Sequence, residues 1–199
     1  MPEVTVEMIK ALRQKTNCGI MDCKRALVEA DGDEAKAIKL LRKQGLAKAV
    51  ERRDRSASEG AIFSYVHHDG RIGVLLQLNC ETDFVARTDE FRQLGSDLCL
   101  QVAASAPRYV SQGDVPENVL ESERNIFGEQ AAKMGKPKNV IERIVEGKLK
   151  SFYEQVCLLD QTFVKEPNDR VGQMIDELSS KLGEKIEVGR FARFEISKS

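Results

Sequence analysis

The side chains best suited to covalent chemistry are five cysteines, Cys18, Cys23, Cys80, Cys99 and Cys157, and two adjacent histidines, His67 and His68. A thiol becomes a nucleophile when a base or a positive field favours its thiolate. Cys80 could approach the histidines across the turn His67-His68-Asp69-Gly70, which joins two strand-like runs. A cysteine at a strand end is ordinarily a small buried apolar group. Covalent catalysis is therefore not expected, and no residue is put forward as catalytic. Cys18 and Cys23 do not have the CxxC spacing of a zinc knuckle, so neither a metal site nor a cofactor is expected. Phosphate-cradling glycine loops and a nucleophile elbow are also missing from the sequence.

A different constellation stands out at Asn79-Cys80-Glu81-Thr82-Asp83-Phe84-Val85-Ala86-Arg87. It follows a strongly apolar run and precedes Thr88, which is suited to cap a helix. The stretch should be a rigidly held connection between strand and helix. Phe84 either turns inward as core, the default for phenylalanine, or projects as an aromatic anchor with Asp83 fixing a donor beside it. Pattern alone does not choose.

The elements that must hold these residues come from a chain of 199 residues with 31 basic and 32 acidic side chains, a formal charge of -1. Hydrophobic residues at 41% and charged residues at 32% are a globular composition. No window approaches the roughly 18 uninterrupted apolar residues of a membrane span. Glu3, Glu7, Lys10 and Arg13 interrupt the stretch where a signal peptide would be apolar, so no export signal is read. With an odd number of cysteines, reduced thiols and a cytoplasmic location are expected. The near-neutral charge argues against a protein built chiefly to neutralise nucleic-acid phosphates.

Residues 1–50 read as a three-helix domain. Thr5 can cap a helix with Met8, Ile9 and Leu12 inward, and Cys23, Ala26, Leu27 and Ala30 mark a second face. Asp33 caps a third helix with Ile38 and Leu41 inward, and Gly45 sits where a left-handed stop is wanted. Residues 1–53 carry twelve basic against eight acidic side chains. Such a unit could read nucleic acid or present a basic face to an acidic protein. Residues 51–60 read as a linker.

An α+β core is expected over 61–199. Ile62, Ser64 and Val66 alternate, as do Ile72, Val74, Leu76 and Leu78, with Asp69-Gly70 supplying a hairpin turn. A helix then turns Phe91, Leu94, Leu98 and Val102 inward, and Pro107 stops it. Two helical runs flank Gly135-Lys136-Pro137, predicting an antiparallel, protruding helical hairpin over 116–153. Val171–Leu182 reads as a helix, and Val188–Ile196 as a third strand with Ala192, Phe194 and Ile196 on one face, placed beside the hairpin in an antiparallel three-stranded sheet.

Several stretches resemble bacterial elongation factor Ts: LRQKTNCGIMDCKRAL (12–27), NCETDFVAR (79–87), GKPKNVIERIVEGKLKSFYEQ (135–155), FVKEP (163–167), VGQ (171–173) and VGRFARFEI (188–196). The likeness spans nearly the whole chain in the family's order. It implies a UBA-like N-terminal bundle and a guanine-nucleotide exchange factor for elongation factor Tu, the GTPase that delivers aminoacyl-tRNA to ribosomes. Such a factor makes no covalent bond and is not an enzyme in that sense. Thr82, Asp83, Phe84 and Val85 match the segment that disturbs the partner's Mg²⁺ surroundings. Leu12, Arg13, Ile20 and Met21 match positions that dock on its nucleotide domain, and Phe163 and Val164 match a stretch that meets another of its domains. Read from the residues alone, Leu12 is core, Ile20 and Met21 suit an exposed contact, and Phe163 and Val164 are open between packing and contact. The family's TGAG is here Thr16-Asn17-Cys18-Gly19. The chain also looks like a short form with one strand–strand–helix unit, and short forms are homodimers. Neither nucleic acid nor membrane is expected as a direct partner.

Overall fold

A computed structural model describes residues 4–16, 18–52, 54–135 and 137–196. Asn17 of the expected turn, Arg53 of the expected linker and Lys136 of the helix–helix turn lie outside the described residues. In chain order the elements are α1 (Val6–Thr16), α2 (Ile20–Glu29), α3 (Glu34–Glu51), β1 (Glu59–Val66), β2 (Ile72–Cys80), α4 (Asp83–Ala86), α5 (Asp89–Ser105), α6 (Glu117–Ala132), α7 (Lys138–Val156), α8 (Val171–Leu182) and β3 (Ile186–Glu195). The three strands form one antiparallel sheet in the order β1-β2-β3, so the class is α+β and β3 lies beside the hairpin, as expected.

The N-terminal helices start where side-chain caps are available. The Thr5 hydroxyl accepts from the Met8 N–H at 3.3 Å, and the Asp33 carboxylate from the Lys36 N–H at 3.0 Å. Ile9, Leu12, Cys23, Ala26, Leu27, Ala30, Ala37 and Leu41 close one small core. Two details differ from the sequence reading. Ile38 is exposed and Ala37 takes the inward position. Gly45 does not end its helix, because α3 runs on to Glu51. Its lack of a side chain serves a close approach instead. The Ser180 hydroxyl donates to the Gly45 carbonyl at 2.6 Å, and a Cβ on Gly45 would lie 3.2 Å from that hydroxyl oxygen.

The chain divides into two compact units. One joins Met1–Gly60 with Asn79–Thr88 and Ile175–Glu187, and the other comprises Ala61–Leu78, Asp89–Met174 and Val188–Ser199. In the first unit, Ser180 meets Gly45 as described and Arg42 Nε pairs with Glu177 at 2.6 Å, which ties α8 to α3.

In the second unit the hairpin turns at Gly70, whose φ of 70° suits glycine, with the Asp69 carboxylate accepting from the Arg71 N–H at 2.9 Å. Val74, Leu76 and Leu78 are buried on one face of β2, and α5 buries Phe91, Leu94, Leu98 and Val102. The layers meet where the Phe63 and Phe91 rings pack with centroids 6.0 Å apart. Arg193 of β3 adds two donors to the Ala103 carbonyl, each at 3.2 Å. The opposite face of the sheet exposes Ile62, Val66, Leu75, Phe194 and Ile196. Helices α6 and α7 form the expected antiparallel pair, each opened by a proline, over a cluster of Val115, Leu120, Phe152, Val156 and Cys157.

Candidate interaction site

Thr82 leaves β2 in an extended conformation and caps the single turn of α4, its hydroxyl oxygen accepting from the Val85 N–H at 3.4 Å. One turn of helix points its side chains in different directions. Val85 is buried, whereas Phe84 is 77% exposed, the highest value among the large exposed apolar side chains described. Both readings of Phe84 fitted the pattern; the ring projects outward. Asp83 accepts a hydrogen bond from Arg87 at 2.7 Å and remains partly exposed beside it.

The segment is held from the side by the turn that follows α8. Glu184 takes two hydrogen bonds from Thr82, one from the backbone N–H at 3.0 Å and one from the hydroxyl at 2.6 Å. Reciprocally, Glu81 accepts from the Lys185 N–H at 2.6 Å and from Arg55 at 3.3 Å. Gly183, with φ of 79°, makes the turn, and the Ser179 hydroxyl donates to the Glu184 carbonyl at 2.6 Å. Sequence reasoning missed Glu184. A lone glutamate after a helix carries no local signal, and its partner lies 102 residues away.

The thiol reading of Cys80 finds no footing in its surroundings. Cys80 is fully buried and its Sγ donates to the Thr82 carbonyl at 3.1 Å. Burial, with the Glu184 carboxylate adding to it, pushes the thiol up to about 11, so it stays protonated at neutral pH. His67 Nδ1 is engaged with the Tyr65 hydroxyl at 2.8 Å. Among the described residues, no group of three or more His, Cys, Asp and Glu could hold a metal ion, and no helix is long and apolar enough to cross a membrane.

Of the other expected residues, Ile20 and Met21 are exposed at the start of α2 and Arg13 is exposed on α1, while Leu12 is completely buried beneath them in the bundle core. These four belong to the same compact unit as Thr82–Val85. Phe163 and Val164 belong to the other unit, where Phe163 is buried and Val164 exposed. Their stretch is fixed by Gln101, a fully buried amide whose oxygen accepts from the Val164 N–H at 2.9 Å and whose nitrogen donates to the Thr162 carbonyl at 3.1 Å and to Gln161 at 3.0 Å. Gln101 also escaped the sequence reading, since it interrupts an otherwise apolar helix face without announcing a partner.

Comparison with known proteins gives the family. The family model described as Elongation factor TS matches residues 22–198. Elongation factor Ts of Fervidobacterium nodosum is 53% identical over 194 residues, covering 98% of each chain. That of Thermotoga neapolitana is 52% identical with the same coverage, and that of Caldanaerobacter subterraneus subsp. tengcongensis is 50% identical over 96% of each. With the TDFV segment capped, its phenylalanine bared, and likeness running from end to end, the chain belongs to the elongation factor Ts family.

Proposed function

We propose that this chain is a guanine-nucleotide exchange factor for elongation factor Tu, speeding GDP release by preferring the nucleotide-free partner. No bond is made or broken. By linkage, nucleotide weakens the factor's hold by the same ratio that the factor weakens the nucleotide's. A GTPase holds much of its nucleotide through Mg²⁺ bridging phosphate oxygens to protein. An aromatic wedge that displaces the metal's surroundings is therefore an effective way to loosen GDP. In this reading Phe84 is the wedge, Asp83 bonds the displaced segment, and Thr82 and Val85 brace the turn. The observation that carries it is the exposed Phe84 ring on a turn whose other side chains are tied down.

Arg13, Ile20 and Met21, on the three-helix, UBA-like bundle, dock on the nucleotide domain, with Leu12 as the core that supports them. Val164 meets a second domain, with Phe163 as its buried root. A cytoplasmic site of action follows from a partner that works at ribosomes. The outer sheet face bearing the exposed side chains of Ile62, Leu75 and Phe194 supports a homodimer, since pairing with a second copy would cover them.

The test is release of fluorescent GDP from elongation factor Tu with and without this protein. Catalytic amounts should accelerate release well above the intrinsic rate. Release at the intrinsic rate removes the proposal.

A further inference from the structure

Glu184 lies outside every stretch assigned to partner contact, yet both of its carboxylate oxygens are spent on Thr82. Resting on the exchange reading above, we infer that Glu184 is a positioning residue for nucleotide exchange: it fixes the Thr82 hydroxyl and thereby the orientation in which Phe84 is presented.

The argument starts with one hydrogen. A threonine hydroxyl has a single proton to donate and lone pairs to accept with, whereas an ionised carboxylate only accepts. The 2.6 Å contact to Glu184 therefore takes the Thr82 proton and leaves the oxygen's lone pairs for the Val85 N–H at 3.4 Å. That second bond caps α4. A helix of one turn has no length to stabilise it, so its orientation depends on such end contacts. Charge-assisted bonds of this kind are the stronger ones.

Glu184 is itself immobilised. The Gly183 turn, the Ser179 hydroxyl on the Glu184 carbonyl and the crossed bond from the Lys185 N–H to Glu81 fix its backbone. Upstream, Ser180 and Arg42 lock α8 to α3. The side-chain path thus runs from the bundle carrying Ile20 and Met21 through α8 and Glu184 to Thr82, all within one compact unit. A wedge works only if the force it applies is not lost in its own rotation. Preorganisation of the anchor is what the carboxylate supplies.

The test is Glu184→Gln, close to isosteric. Its amide must either face the Thr82 N–H with a donor or make the Thr82 hydroxyl an acceptor, which strips that hydroxyl's proton of its carboxylate partner and makes the amide compete with the Val85 N–H for the oxygen's lone pairs. Fluorescent-GDP release from elongation factor Tu, titrated with partner, should show kcat reduced about tenfold with KM within about twofold, because the docking patches are untouched. Hydrogen exchange at the Val85 amide should quicken while that of the α1–α3 core does not. Thr82→Val should match it, and the double variant should lose no more than either single one. Should Glu184→Gln fail to fold, Thr82→Val carries the same measurements. Wild-type kcat in Glu184→Gln overturns the positioning role alone, as do multiplicative losses in the double variant or equal losses in kcat and KM. A wild-type chain that does not accelerate release overturns the exchange reading and the inference with it.

Discussion

Gly95 of α5 lies directly beneath the ring of Phe63 on β1, so near that a Cβ at Gly95 would stand 2.4 Å from ring carbons Cδ2 and Cε2. Helix and sheet can approach this closely only because the helix has no side chain there, and Phe91, one turn earlier on the same helix, packs against the Phe63 ring with centroids 6.0 Å apart. Gly95→Ala gains about 1 kcal/mol of helix propensity but must push aside a packed ring, a cost of about 1–3 kcal/mol. The net expectation is destabilisation by up to about 2 kcal/mol, read as a lower urea midpoint. Adding Phe63→Leu should recover part of it, whereas a raised midpoint in Gly95→Ala contradicts the contact.

Burial pushes the thiols of Cys80, Cys99 and Cys157 each up to about 11, from an ordinary value of 9.0. Their folded pKa is raised, so the stabilisation they bring is fully present below pH 9 and is lost as pH climbs toward 11. The urea midpoint should fall across that window, and less steeply in Cys99→Ala, whose thiol is shifted by burial alone. At pH 8 iodoacetamide should label the half-buried Cys18 in the native protein and spare those three. Rapid native labelling of Cys80 would revive a thiol chemistry.

What could be read in the sequence was what is local. The α2 face of Cys23, Ala26, Leu27 and Ala30 follows from three- and four-residue spacing, and all four are buried. The hairpin followed from Asp69-Gly70 between alternating runs. Gly45 was misjudged because its reason, Ser180, is 135 residues away. Ile38 yielded to Ala37, its neighbour one position earlier, because three- and four-residue spacing leaves the exact phase of the inward stripe open and the three-helix core closes on Ala37 and Leu41. Alternation located two faces on each strand without saying which is covered, since Ile62 and Val66 on the open face are as apolar as Phe63 on the packed one. For Phe84 a one-turn helix has no periodicity to read, so its exposure had to come from the fold. The Thr82–Glu184 contact is a fact of tertiary structure alone.

Phe84→Ala separates fold from function. At 77% exposure the ring adds little to its own chain, so the stability should change by less than about 0.5 kcal/mol. Catalysed GDP release should slow about tenfold or more, the loss expected of an aromatic anchor. Asp83→Ala forfeits in addition the ion pair with Arg87, worth only a few tenths of a kcal/mol on an exposed turn. Circular dichroism sets the alternative. A variant that unfolds makes Phe84 structural and ends the wedge.

Phe194 tests the pairing of two copies. Its ring is 68% exposed on β3, on the same face as Ile62, Val66, Leu75 and Ile196, opposite the face that α5 covers. Covering one such side chain contributes about 1.5–3 kcal/mol, and several together from each of two copies exceed what a micromolar dimer needs, about 8 kcal/mol. Phe194→Asp leaves the inner packing alone and places a charge where the copies would meet, so the monomer should remain folded while the dimer is lost. Sedimentation at about 10 μM should give a dimer for the wild-type chain and a monomer for the variant. A wild-type monomer at that concentration means the sheet face is open in solution. Under the exchange proposal, the single strand–strand–helix unit would then have to act on elongation factor Tu without a second copy.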